Sequence, residues 1–284
     1  MNSTFTVFPK FYQGMAADEM ARRVREAGMD AVNAVVREGY WCEPDNLADT
    51  LPAYCTAVRD EGLQVVLAST GFRADHLTED ETPLAVLAEC GVPAFRMGYF
   101  RLPDAGDVWP ALAAARRDME TMAGLCEKHG LRAVYQVHQN TLVSSASAVL
   151  ELVCDLDPRH VGVMLDPGNQ AHEGFESWRR SAPLLGPYLA GIGVKDVTFE
   201  RDPDRAREPD KGWRGRWAPL DEGVVNWHDV IRALAAAPFA GLFVFMPFCH
   251  EGDPAATNRQ LTRDAAYLRG VLETVETERE GAAP

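Results

Sequence analysis

Two hydrophobic periods alternate along this chain. Short runs rich in β-branched and apolar residues give way to longer windows whose apolar positions recur three to four residues apart, and the exchange repeats about eight times. "TFTVF" reads as a strand, and "AADEMARRVREAG" as a helix with Met15, Met20 and Val24 on one face and Gly28 as its stop. "MDAVNAVV", "LQVVLAST", "AFRMGYF", "LRAVYQVH", "HVGVMLDP", "LAGIGVKD" and "GLFVFMPF" read as the other strands. Between them lie helical windows such as "LADTLPAYCTAVRDEG", "TPLAVLAECG" and "SASAVLELVCDL", and the chain closes on "AATNRQLTRDAAYLRGVLETVETERE". Eight strands, each followed by a helix, predict an α/β fold, a (β/α)8 TIM barrel forming one domain over residues 1–284. An open doubly wound sheet is the competing α/β architecture, but its glycine-rich phosphate-binding turn is missing.

Two segments break the beat, and the second of them, the closing "GAAP", reads as a frayed tail. Residues 197–223, after the seventh strand, are far longer than an ordinary strand-to-helix connection and carry Trp213 and Trp217. Long βα loops on barrels serve the active site or an interface, so Trp217 joins the candidate ligand-binding residues.

Composition narrows the partners. The net charge of −14, from 42 acidic and 28 basic side chains, is the wrong sign for a general nucleic-acid binder. No apolar run approaches the ~20 residues that span a bilayer, and the N-terminus lacks a basic stretch followed by an apolar one, so neither membrane nor secretion is expected. The six cysteines are scattered without CxxC spacing and read as reduced residues of a cytoplasmic protein. The expected partner is a small-molecule substrate, with a homodimer left open.

In a barrel of this kind the chemistry sits at the C-terminal ends of the strands. There the sequence delivers Asn33 from the second strand; Arg96, Tyr99 and Arg101 from the fourth; Gln136 and His138 from the fifth; Asp166 and Asn169 from the sixth; and Lys195 from the seventh. Lys195 is one of four lysines in a chain with 24 arginines, set on an apolar strand beside an aspartate. Asp166 ends an apolar run before Pro-Gly, where it would also serve as a helix cap. His138, Asp166 and Lys195 are therefore the candidate catalytic residues. Asn33, Arg96, Tyr99, Arg101, Gln136, Asn169 and Trp217 are the candidates for holding substrate.

The pieces "YQVHQNTL", "VGVMLDPGNQAHEG", "GIGVKD", "APLDEGVVNW" and "AGLFVF" occur in that order over residues 131–248. Together they resemble the xylose isomerase-like TIM-barrel family, the sugar phosphate isomerase/epimerase superfamily. The resemblance implies a divalent metal held by Glu, Asp, His and Glu from the fifth to eighth strands, with carboxylates moving a proton beside a carbonyl. Here those positions carry Gln136, Asp166, Gly193 and Met246, and Asn169 stands where a further histidine is usual. An amide is a poor ligand for a hard cation and cannot act as a base. The expectation is a metal-independent isomerase, epimerase or lyase acting on a polyhydroxylated or carbonyl compound, with no cofactor. Two alternatives stand beside it: a metal enzyme (Mn, Mg or Zn) with a rearranged site using His138, Asp166, His250 and Glu251, and a non-catalytic barrel that binds a small molecule or a partner.

Overall fold

The computed structural model describes residues 4–103, 108–205, 212–237, 239–250 and 252–281. Eight parallel strands close into a barrel: β1 (Thr4–Val7), β2 (Ala31–Val35), β3 (Gln64–Ser69), β4 (Ala94–Arg96), β5 (Arg132–Gln136), β6 (Val161–Leu165), β7 (Leu189–Val194) and, after a hairpin, β10 (Leu242–Phe245). β10 lies between β7 and β1, with Val244 opposite Gly193 on one side and Thr6 on the other. Around the barrel run α1 (Ala17–Glu26), α2 (Leu47–Asp60), α3 (Ala74–Glu79), α4 (Thr82–Glu89), α5 (Val108–His129), α6 (Ala146–Val153), α7 (Pro167–His172), α8 (Trp178–Leu185), α9 (Trp227–Ala235) and α10 (Pro254–Gly281). The predicted strand–helix order is observed. α3 was not anticipated, and α7 only through its Asp166 cap; each is six residues long, too short for its periodicity to register. α1 and α2 end just before Gly28 (φ +84°) and Gly62 (φ +80°), the left-handed C-terminal positions that glycine takes without strain.

Strand parity divides the core. Val134 and Gln136 of β5 point into the barrel, while Ala133 and Tyr135 face the helices. The barrel interior is closed by Val35, Leu67, Val134, Met164 and Val244, with Phe8 and Met246 above them. The larger core lies between strands and helices and includes Phe95, Phe243, Phe245, Leu51 and Trp227. Burying such a side chain stabilises the fold by roughly 1.5–3 kcal/mol.

The described residues of the 197–223 segment include two regular strands. β8 (Asp196–Arg201) and β9 (Trp213–Ala218) form an antiparallel hairpin that starts one residue after Lys195. Asp196, which the sequence couples to Lys195, is spent on its base. Its carboxylate accepts from Val197 N (2.7 Å), Val225 N (3.0 Å) and Trp227 Nε1 (2.9 Å). Burial nevertheless raises its pKa to about 6. The six cysteines are free thiols. No helix among the described residues is long and apolar enough to cross a membrane.

Candidate active site at the barrel mouth

Two connected cavities open at the C-terminal ends of the strands. The inner one, about 160 Å³, sits over the barrel floor and reaches Asn33, Arg96, Gln136, His138 and Lys195. The outer one, about 970 Å³, spreads across the loops after β2 to β5. Arg37, Arg96, Tyr99 and His138 line both and so mark the neck between them.

Lys195 closes one wall of the inner cavity. The same parity that turns Gly191 and Gly193 inward brings it into the barrel. It is 5% exposed, and its ammonium lies 3.3 Å from Asp166 Oδ2, 4.4 Å from the Trp217 ring centroid and 5.1 Å from that of Phe248. Burial pushes its pKa below the ordinary lysine value, with Asp166 opposing the shift. Its stem runs across Gly168, where a Cβ would come within 2.8 Å of both Lys195 Cγ and its carbonyl oxygen.

Asp166 is fully buried and divides its two oxygens. Oδ1 caps α7 by accepting from Asn169 N (2.9 Å), and Oδ2 accepts from Gln136 Nε2 (2.6 Å) while facing Lys195. The cap reading and the site reading of this residue are thus both realised. Gln136 also accepts from the Tyr99 hydroxyl at 2.9 Å. An amide can accept on one side and donate on the other, whereas an ionised carboxylate only accepts. Glutamine at the strand end therefore joins Tyr99 to the Asp166–Lys195 pair.

His138 is half-buried at the neck. Its Nδ1 lies 2.7 Å from the Gln139 carbonyl, which can only accept, so Nδ1 carries the proton and Nε2 keeps its lone pair. Burial pushes its pKa below 6.5, and the Lys195 charge acts in the same direction. Asn33 contributes an unsatisfied donor. Its Oδ1 accepts from Thr6 Oγ1 (2.9 Å), while Nδ2 has no partner among the described residues.

The other candidates are spread more widely. Arg96 is buried, donates to the Thr70 carbonyl (2.6 Å) and lies over the Tyr99 ring (4.9 Å). Arg101 is exposed on the wall of the outer cavity. Asn169 lies behind the site, where its Nδ2 donates to the Val137 carbonyl (3.0 Å) and braces the end of β5. Asp166 itself lines neither cavity. His250 is exposed in a turn after β10, away from both cavities, and Glu251 lies outside the described residues. Lys10 and Phe248, both on the inner cavity, were passed over in the sequence, and Arg37, which the sequence delivers beyond the second strand, was not carried among the substrate candidates although it lines the same cavity. Lys10 and Phe248 sit just beyond β1 and β10, so a wider window past those strand ends would have included them.

A family model described as "Xylose isomerase-like TIM barrel" matches residues 21–270. The chain belongs to that family. "Inosose dehydratase 2" of Bacillus cereus is 27% identical over 158 residues, 53% of this chain and 49% of that protein, so the chain spans about half the length of that relative. Among solved structures, an L-ribulose 3-epimerase superposes with a TM-score of 0.73 at 14% identity, covering 99% of this chain and 98% of that one. A "xylose isomerase-like TIM barrel/4-hydroxyphenylpyruvate dioxygenase fusion protein" gives 0.71 at 17% identity, covering 100% of this chain and 45% of that one.

Membership raises the question of the divalent cation that the family implies. Of the four positions, only Asp166 offers an anionic oxygen, and that oxygen already faces the Lys195 ammonium and the Gln136 amide. At Gly193 a Cβ would come within 2.6 Å of Asp166 Oδ2 and 2.8 Å of Met246 Cε, leaving no room for a ligand side chain. Gln136 Nε2 lies 3.7 Å from Met246 Sδ. Among the described residues, no group of three or more His, Cys, Asp or Glu side chains is placed to hold a metal ion. As a donor set for a hard cation these residues do not fit.

Proposed function

We propose that this barrel is an isomerase, epimerase or dehydratase of a polyhydroxylated carbonyl compound, in which the Lys195 ammonium takes the charge role of the family's metal. The observation that carries this reading is the desolvated Lys195 ammonium, paired with Asp166 and exposed on its remaining side to the inner cavity. A substrate carbonyl placed there would accept a hydrogen bond from Nζ. Charge developing on that oxygen would be stabilised by a preorganised cation in a water-poor site, an effect of about 3–4 kcal/mol for comparable donors.

His138 Nε2 is the base in this reading. The C–H bond beside the carbonyl breaks, its proton goes to Nε2, and the electron pair moves through the new C=C bond onto the carbonyl oxygen. Protonation of the same carbon on its other face, by a donor other than His138, is epimerisation; protonation of the former carbonyl carbon, with the α-hydroxyl proton passing to the former carbonyl oxygen, is isomerisation. Loss of a β-hydroxyl that takes the proton from Nε2 and leaves as water is dehydration. Asp166, out of contact with the cavity, positions Lys195 and keeps it charged, and Gln136 and Tyr99 hold Asp166 in place. Asn33 Nδ2 supplies an unused donor for a substrate oxygen.

The test is solvent deuterium uptake, followed by proton NMR, at the carbon next to the carbonyl across a panel of ketoses, inososes and hydroxy-keto acids. Exchange should persist with a chelator present and vanish in Lys195→Met and His138→Gln. Exchange that needs added metal, or that survives Lys195→Met unchanged, overturns the proposal.

A further inference from the structure

The chain is strongly acidic overall, yet its inner cavity is not. Lys10, Arg37, Arg96 and Lys195 line it, and neither Asp nor Glu does. Lys195 has its counter-charge in Asp166, behind the wall. Arg37 and Arg96 have none: among the described residues neither forms an ion pair, and Arg96 donates to the carbonyls of Thr70 and Met97 and lies over the Tyr99 ring. The acids of the outer cavity, Glu38 and Asp80, do not pair with them either. Two guanidiniums thus share the neck without an anion between them. Arg37 extends from the rim of β2 over the Phe8 ring (5.4 Å). Crowding by protein and then the Arg96 charge push its pKa below the ordinary arginine value.

Like charges held together beside low-dielectric walls focus a positive potential on the space they enclose. Position points the same way. Arg37 and Arg96 line both cavities, so a molecule that reaches from Lys195 into the outer cavity passes them.

We propose that the ligand of this site is an anion whose carboxylate or phosphate group is gripped at the neck by Arg37 and Arg96. Guanidinium forks match the oxygen geometry of both groups. The proposal rests on the reading of the barrel mouth as the substrate site, and it narrows that substrate to a sugar acid, keto acid or sugar phosphate.

The test uses inorganic phosphate and acetate as probes. Thermal unfolding of the full chain is followed against each at ionic strength matched with sodium chloride. Wild type should be stabilised by at least one of the two beyond chloride. Phosphate alone would name a phosphate ester, whereas an acetate response would name a carboxylate. In Arg37→Gln, a rim substitution, the apparent affinity should fall by about tenfold or more, since a hydrogen bond to a charged group is worth ~1.5–3 kcal/mol. Arg22→Gln, remote on α1, should respond as wild type does. Absence of any response beyond chloride in wild type, or an undiminished response in Arg37→Gln, overturns the proposal. No turnover enters this assay, so its failure leaves the proton-transfer reading standing. Loss of that reading through a fully active Lys195→Met leaves the anion grip standing.

Discussion

Replacing Lys195 by Met removes the ammonium and keeps most of the stem. At 3.3 Å and an effective dielectric of about 20, the attraction between Lys195 and Asp166 is about 5 kcal/mol. The two aromatic faces add up to roughly 2 kcal/mol for a desolvated cation. Against this stands the desolvation of two ions, several kcal/mol each, so the pair itself adds little net stability. Removing one partner is different, because it leaves Asp166 as a buried charge supported only by Gln136 Nε2 and Asn169 N. Lys195→Met and Asp166→Asn should each cost about 3–5 kcal/mol. At roughly 2–4 °C per kcal/mol this lowers Tm by about 6–20 °C. The double variant, with both charges gone, should recover about 3 kcal/mol or more relative to the sum of the singles. Urea denaturation of the four proteins measures this. Singles within ~0.5 kcal/mol of wild type, or a strictly additive double, would mean that the ammonium and carboxylate are not coupled as described.

Gly168→Ala places a methyl within 2.8 Å of Lys195 Cγ and its carbonyl. It should move the lysine and reduce exchange activity by about tenfold or more, a ~1.4 kcal/mol effect, with a smaller loss of Tm. Activity against pH should keep its base down past pH 6.5, because the His138 pKa is depressed, and should fall on an alkaline limb below the ordinary lysine value of 10.5; limbs at the unshifted values would refute the site's electrostatics. Asp264 accepts from Leu220 N and Gln260 Nε2, and burial raises its pKa to about 7. A raised acid binds more protons folded than unfolded, so its favourable contribution is complete below pH ~4 and is lost as pH rises to about 7. The span is on the order of 4 kcal/mol, and Asp264→Asn should flatten that part of a stability-versus-pH curve.

The barrel was legible because its information is local and repeated: period-two strands, period-3.6 helices, glycine stops. The strand ends named the candidate site residues, and in the structure Gln136, Asp166 and Lys195 each continue the inward face of their strand. What could not be read was the partner each side chain would choose. Asn169 looks from sequence like a ligand contact, but its amide turns back to the Val137 carbonyl. Arg37 is legible as a residue beyond the second strand, but it becomes half of a cationic neck only because β2 and β4 bring it near Arg96. The 197–223 excursion revealed its length and its tryptophans. Its hairpin, and the placement of Trp217 over Lys195, depend on Asp196 anchoring both ends, a contact between residues far apart in the chain.

The substitutions at the family's metal positions make physical sense only as a set. A glutamate at position 136 would put a second carboxylate beside Asp166, unstable without a cation between them. A side chain at Gly193 would collide with the Asp166 oxygen that now faces Lys195. Met246 offers a soft sulfur near the Gln136 amide, where a carboxylate would compete with Asp166 for the ammonium. Each change favours one cation, the lysine, over a divalent ion, and each would be costly alone. Restoring all three through Gln136→Glu, Gly193→His and Met246→Glu, together with Lys195→Met, should therefore create Mn2+ or Zn2+ binding near one per chain by elemental analysis after desalting. Restoring only Gln136→Glu should lower stability without metal uptake. Stoichiometric metal in the unmodified chain would refute the account, because it would require Asp166 to leave Lys195 for a cation that no second carboxylate helps to hold.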